Sequence, residues 1–191
     1  VRNNETRPHP LTFKWKVALE ADEYEMDQLD QILSHLPQHA RLRLDANGGW
    51  HIKQARNWVQ KLRKEPRVEW LEQPLQPNDM DGLWKLAEEF PVALDQSLLL
   101  DPSLRDCWEG WQVRRPTLEG DPRGLLNDLK VGMGYRMLSS AFETGIGRRW
   151  LSHLASLQQE GPTPTAPGLA PGWTPEGDLF SLSPALVWEA A

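Results

Sequence analysis

The sequence contains little of what several protein classes require. Cys107 is the only cysteine in 191 residues, which excludes an internal disulfide, a thiolate zinc cluster and a CxxC redox pair. No apolar run approaches the ~20 residues of a membrane span. Lys and Arg number 21 against 27 Asp and Glu, giving a net charge of -6, which argues against a nucleic-acid-binding surface. We therefore expect a cytoplasmic protein that acts on a small molecule, with no nucleic-acid or membrane partner and with its oligomeric state left open.

The chain does contain a regular alternation of strand-like and helix-like segments. Strand patterns recur every 20 to 29 residues, and helical spacing of apolar residues fills most of the intervals. The strand patterns cover residues 12–17, 41–45, 68–72, 91–95, 111–115 and 136–141. Such alternation predicts an α/β fold in which right-handed crossovers join parallel strands, and its short period favours a closed TIM-type barrel. A whole barrel takes about 250 residues, so we expect a partial (β/α) barrel that lacks roughly the first βα unit.

The domain organisation follows from the same pattern. We expect residues 1–10 to be an N-terminal stub and residues 11–191 to form a single, incomplete barrel domain. The Pro- and Gly-rich stretch 161–177 reads as a loop, which we expect to surround a short last strand near residues 165–169. The apolar tail 179–188 is expected to dock on the barrel.

Three carboxylates end successive strand patterns. Asp45, Glu72 and Asp95 each follow a short apolar run, and strand ends of this kind meet at one mouth of a parallel barrel. For any one of them alone, a helix N-cap or a solvated loop position is the better interpretation. For three together, repulsion predicts a hard cation among them, and an all-oxygen set suits Mg²⁺ better than zinc.

Two lysines lie upstream of these acids. Lys14 and Lys16 are two residues apart in a strand pattern, so their side chains share a face. We expect Lys16 to point into the mouth, where desolvation and the charge of Lys14 would favour a neutral amine that acts as a general base. A base beside Mg²⁺ suits removal of a proton α to a carboxylate. A pair of lysines on a solvated edge strand is the alternative.

The motifs in this order resemble the enolase superfamily, in particular its muconate-lactonizing-enzyme-like branch and, within it, the o-succinylbenzoate synthases. The resemblance runs from about residue 11 to residue 169. Its motifs are Phe13-Lys14-Trp15-Lys16, Asp45-Ala46-Asn47, Glu72-Gln73-Pro74, Leu94-Asp95-Gln96-Ser97 and the segment from Ser139 to Gly147.

The resemblance implies an activity and a set of site residues. The implied reaction is a hydro-lyase step that converts 2-succinyl-6-hydroxy-2,4-cyclohexadiene-1-carboxylate to 2-succinylbenzoate through an enediolate, in menaquinone or phylloquinone biosynthesis. Lys16 maps to the acid/base catalyst and Lys14 to its supporting lysine. Asp45, Glu72 and Asp95 map to the ligands of Mg²⁺, for which Mn²⁺ can substitute. Asn47, Ser140 and Gly168 map to substrate contacts. The resemblance also implies that the superfamily's N-terminal α+β capping domain is absent from this chain.

Two positions depart from the family pattern. Arg115 stands where a lysine is usual, and Gln96 replaces a glutamate next to Asp95. Because arginine is effectively never deprotonated in proteins, Arg115 disfavours a racemase that needs two bases. It can still serve as a catalytic cation opposite Lys16. N-succinylamino acid racemisation, dipeptide epimerisation, cycloisomerisation and a non-catalytic barrel fragment remain the alternatives.

Overall fold

The computed structural model describes residues 11–170 and 175–191. The expected stub 1–10 lies outside the described residues, as does part of the loop 161–177. The chain divides into two compact units, one ending at Leu100 and the other beginning at Asp101. In the described parts of the chain, no helix is both long enough and apolar enough to cross a membrane.

From residue 11 onward, the first unit alternates strands and helices, and the four strands found there are parallel. Each strand pairs with the next along the chain, in the order β1, β2, β3, β4. The elements are β1 (Thr12–Lys16), α1 (Asp22–His35), β2 (Arg41–Asp45), α2 (Ile52–Leu62), β3 (Val68–Glu72), α3 (Met80–Ala87), β4 (Val92–Leu94) and α4 (Gln96–Leu100).

The core of this unit lies between the strands and the apolar faces of the helices. Leu44 and Leu71 are fully buried on β2 and β3, as expected for parallel strands covered on both faces. Trp58 of α2 is also fully buried. Its ring stacks on that of Trp50 with 4.9 Å between centroids and 20° between planes, and its indole nitrogen donates to Asp22 Oδ1 at 3.0 Å.

The loop that leaves β1 is fixed by a buried carboxylate. Glu25, in the first turn of α1, is 3% exposed, and it accepts hydrogen bonds from three consecutive backbone N–H groups. They belong to Ala18, Leu19 and Glu20, at 2.9 to 3.1 Å. Ala18 has a left-handed φ of 65°, which these bonds help to hold. The chain directly after Lys16 therefore follows one defined path.

In its described residues, the second unit contains two parallel strands and four α-helices. Its elements are α5 (Leu104–Cys107), β5 (Trp111–Arg114), α6 (Arg123–Val131), β6 (Arg136–Leu138), α7 (Gly145–Gln159), a 3-10 turn (Asp178–Phe180) and α8 (Pro184–Ala190). Strand β5 pairs with β6. Leu138 packs with Leu125 and Leu129 of α6 and with Leu151 and Leu154 of α7 in one apolar cluster.

The expected strands are confirmed, each within three residues at either end. The expected last strand is reduced to a single parallel bridge between Ser139 and Gly168, because Pro164 and Pro167 lack the N–H groups that a ladder needs. The tail docks as expected within its unit: Val187 of α8 is 3% exposed and lies against Gly145 at the start of α7.

Candidate active site

The strand register places the predicted base beside two predicted metal ligands. Lys16 lies opposite Asp45 in the pairing of β1 with β2, and Asp45 lies opposite Glu72 in the pairing of β2 with β3. Asp95 follows the end of β4 directly. The C-terminal ends of four successive strands therefore carry Lys16 and the three carboxylates within the first unit.

Lys14 joins two of the carboxylates. Its ammonium lies 2.7 Å from Asp45 Oδ2 and 2.7 Å from Glu72 Oε1, and both acids are buried, with 1% and 0% exposure. Burial by itself lowers the pKa of Lys14, but the charges and hydrogen bonds of Glu72 and Asp45 outweigh it, so the pKa is raised. Lys14 is therefore held as a cation between the two acids.

Glu72 is the most perturbed acid of the site. Its pKa is raised from 4.5 to about 7, chiefly by burial. The neighbouring charges of Asp45 and Asp95 contribute to that rise, whereas the charge and hydrogen bond of Lys14 oppose it. Its Oε1 pairs with Lys14, whereas Oε2 is buried without a hydrogen-bond partner in the described part of the chain. A buried carboxylate oxygen left in this way is suited to a cation.

Two glutamines hold the region around Asp95. Gln73 is fully buried, and its Oε1 accepts from the backbone N–H groups of Asp95 and Ser97, both at 3.1 Å. Its Nε2 donates to Leu75 O at 3.0 Å and to Ser97 Oγ at 2.8 Å. Gln96 Nε2 donates to Asp95 Oδ2 at 3.1 Å. Sequence reasoning missed the role of Gln73, although its place directly after Glu72 was a signal.

The expected burial of Lys16 is wrong. Lys16 is exposed at the last paired position of β1 and β2, and its ammonium donates to Asn47 Oδ1 at 2.8 Å. Asn47 has a left-handed φ of 46°, and its backbone N–H donates to Asp45 Oδ1 at 3.0 Å. Asn47, predicted to contact substrate, therefore connects the predicted base to a predicted ligand.

The donor chemistry of the site fits a hard divalent cation. Three buried carboxylates supply oxygens only, and the unpartnered Oε2 of Glu72 is one of them. Across residues 11–170 and 175–191, however, no three His, Cys, Asp or Glu side chains are gathered as a ligand group. The ammonium of Lys14 joins two of the acids instead. The assignment of Asp45, Glu72 and Asp95 as metal ligands stays a prediction.

The remaining predicted residues lie together in the second unit. The guanidinium of half-buried Arg115 donates through Nη1 to the main-chain carbonyl of Ser140, and its backbone N–H donates to Glu119 Oε1 at 2.8 Å. The backbone N–H of Ser140 donates to Gly168 O at 3.0 Å. Arg115, Ser140 and Gly168 are thus linked in one hydrogen-bonded series.

Comparison with known proteins places these residues in a family context. Residues 11–104 match the family described as "Enolase C-terminal domain-like". The o-succinylbenzoate synthase of Thermosynechococcus vestitus is 36% identical over 158 residues, which cover 78% of this chain and 49% of that protein. The L-Ala-D/L-Glu epimerase of Bacillus subtilis is 28% identical, over 78% of this chain and 43% of that protein. The chain thus spans about half the length of the curated relatives it matches.

A solved structure supports the same placement. The crystal structure of o-succinylbenzoate synthase from Thermosynechococcus elongatus BP-1, complexed with magnesium in its active site, superposes with a TM-score of 0.77 at 32% identity. The superposition covers 94% of this chain and 59% of that chain. The expected fold class, a partial TIM-type (β/α) barrel, is confirmed by this likeness together with the parallel βα order. The chain belongs to the enolase superfamily and carries the barrel fold of its C-terminal domain.

Proposed function

We propose that the chain is the barrel part of a Mg²⁺-dependent o-succinylbenzoate synthase. The proposed reaction dehydrates 2-succinyl-6-hydroxy-2,4-cyclohexadiene-1-carboxylate to 2-succinylbenzoate, a step in menaquinone or phylloquinone biosynthesis. The observation that carries the proposal is the placement of Lys16 beside buried Asp45 and Glu72 at adjacent strand ends. The similarity to synthases of this kind supports it.

In this proposal Lys16 moves the proton. Its neutral amine takes the proton α to the substrate carboxylate, and the resulting ammonium gives that proton to the departing hydroxyl group, which leaves as water. Lys16 thus removes the proton and protonates the leaving hydroxyl group from the same face of the substrate. A divalent cation held by Asp45, Glu72 and Asp95 would supply positive charge that stabilises the substrate carboxylate as negative charge builds up.

Asn47 and Lys14 would serve this step in different ways. The hydrogen bond from Lys16 to Asn47 Oδ1 fixes the direction of the ammonium after proton transfer. Lys14 keeps positive charge next to Asp45 and Glu72. Because Lys16 is exposed, the catalytic form requires a substrate or a further part of the protein to cover it, since a dry site favours the neutral amine.

Arg115 distinguishes this proposal from epimerisation, which the Bacillus subtilis relative performs by its name. An epimerase working on both faces of an α-carbon needs a proton carrier on each. A guanidinium keeps its protons, and that of Arg115 is engaged with the Ser140 carbonyl. A dehydration by one base has no need of a second carrier, so the residue at this position favours the synthase.

The test is an absorbance assay for loss of the cyclohexadiene with and without Mg²⁺. We expect turnover that requires Mg²⁺ and that Lys16→Ala abolishes. Lys53→Ala, which removes an exposed lysine from α2, is the control and should leave the rate unchanged. Turnover that survives Lys16→Ala would contradict the proposal. Absence of turnover together with epimerisation of a dipeptide would favour the epimerase alternative, and absence of both a non-catalytic barrel.

A further inference from the structure

We propose that Lys14 is a built-in cation that competes with the divalent cation for Asp45 and Glu72, so that metal binding requires the ammonium of Lys14 to leave. This inference rests on the metal site of the proposed function and adds a regulating element to it. In this view the lysine limits how tightly the site binds metal, and in return it holds the two acids together when no metal is bound.

The first support is the contact geometry. Lys14 Nζ lies 2.7 Å from one oxygen of each acid, and those acids are 1% and 0% exposed. Two buried carboxylates at adjacent strand ends repel each other, and each would be costly to bury as an unpaired charge. The ammonium offsets both effects from one position. A divalent cation that uses the same oxygens would meet a positive charge there.

The second support is that the side chain of Lys14 can move toward solvent. Its side chain is 34% exposed, and a lysine carries its charge on a flexible four-carbon stem. Arg43, a second basic residue beside this site, is fixed differently. Arg43 is buried, its Nε lies 2.6 Å from Glu69 Oε2, and its guanidinium lies 4.0 Å from the centroid of the Trp70 ring. Lys14 can therefore move toward solvent while Arg43 stays in place.

The third support is the unequal use of the oxygens of Glu72. Oε1 contacts Lys14, and Oε2 is buried with no hydrogen-bond partner among the described residues. A cation can therefore begin to bind through Oε2 before Lys14 has released Oε1. This gives a stepwise exchange of one cation for another in which the carboxylate of Glu72 stays neutralised throughout.

The inference predicts that Lys14→Met lowers the stability of the metal-free protein but raises its affinity for Mg²⁺. Loss of the ammonium leaves Asp45 and Glu72 without their shared partner, so the metal-free protein should melt at a lower temperature. The same loss removes the competitor, so Mg²⁺ should bind more tightly. A lysine with a merely structural role would weaken both stability and metal binding, because a disordered site binds metal less well.

The experiment is titration calorimetry with Mg²⁺ alone, beside thermal melts in the presence of a chelator. We expect Lys14→Met to bind Mg²⁺ at least about tenfold more tightly than the unmodified chain and to melt at a lower temperature without metal. Lys61→Met is the matched control, since Lys61 forms an ion pair with exposed Asp30 at 2.7 Å. It should change neither value appreciably.

Lys14→Arg keeps a cation at the same position and tests the idea where Lys14→Met fails to fold. An arginine can hold both carboxylates through its fork of donors, so Mg²⁺ should bind no more tightly than to the unmodified chain. Equal or weaker Mg²⁺ binding by Lys14→Met, or tighter binding by Lys14→Arg, would overturn this inference and leave the metal site standing. No Mg²⁺ binding by any of the proteins would overturn both.

Discussion

Replacement of Gly145 by alanine should destabilise the second unit strongly, and the structure gives the reason. A Cβ added at this position would lie 1.8 Å from Ser181 O and 2.8 Å from Ser181 C, with Val187 Cγ2 at 3.2 Å. The clash is with backbone rather than with a flexible side chain, so the tail that carries α8 must move away from α7. We expect a loss of about 2 to 4 kcal/mol in the free energy of unfolding.

Gly124→Ala is the matched control. Gly124 also lies near the start of a helix, α6, and a Cβ there meets no atom within 4 Å. Alanine in a helix is favoured over glycine by up to about 1 kcal/mol, so this variant should be slightly more stable. Guanidinium unfolding followed by circular dichroism measures both. If Gly145→Ala unfolded within about 0.5 kcal/mol of the unmodified chain, the packing of the tail against α7 would be contradicted.

Two further predictions concern buried charges. Glu119→Ala should cost about 3 kcal/mol or more in unfolding free energy, because it leaves buried Arg114 without the carboxylate that accepts hydrogen bonds from two of its nitrogens. Asp121→Ala removes one partner of an exposed ion pair and should cost less than about 1 kcal/mol. Chemical denaturation compares the two variants, and equal losses would refute the argument. Because the pKa of Glu72 is raised from 4.5 to about 7, the folded chain should lose stability as the pH rises between those values, where the acid ionises in the unfolded chain but stays protonated in the folded one, and it should keep the penalty above them. Glu72→Gln should flatten that loss in metal-free melts between pH 5 and 8, and an unchanged pH dependence would count against the raised pKa.

The strands could be predicted from sequence because each is a short run that contains apolar residues and is bounded by turn residues. The parity of β2 placed Arg43 and Asp45 on one face, and the recurrence of acids at strand ends predicted that Asp45 and Glu72 lie at neighbouring strand ends, as the strand pairing has them. The short helices α4 and α5 were not predicted, since five and four residues are too few to show helical periodicity. The segment around Gly168 was predicted as a strand, but it forms only a single bridge. The prolines in this segment remove N–H groups that a longer ladder would need.

The contacts inside the site could not be predicted in the same way. Sequence places Lys14 and Lys16 on one face, but which of them pairs with the acids depends on how far each ammonium reaches across the sheet. In the structure, Lys14 forms ion pairs with Asp45 and Glu72, whereas Lys16 donates a hydrogen bond to Asn47. Burial of Lys16 was expected because its strand face was predicted to point into the mouth of the barrel, yet exposure is decided by everything packed over the strand end, which no local pattern encodes.

The stacked indoles of Trp50 and Trp58 give this site an optical signal of its own. Trp50 is three residues beyond Asn47, on the loop that leaves β2, whereas Trp58 belongs to α2. Two chromophores 4.9 Å apart at 20° couple their electronic transitions, so the near-ultraviolet circular dichroism of the pair depends on their mutual angle. Any rearrangement of that loop, whether on cation binding or on binding of a carboxylate ligand, would then be recorded as a spectral change without a label.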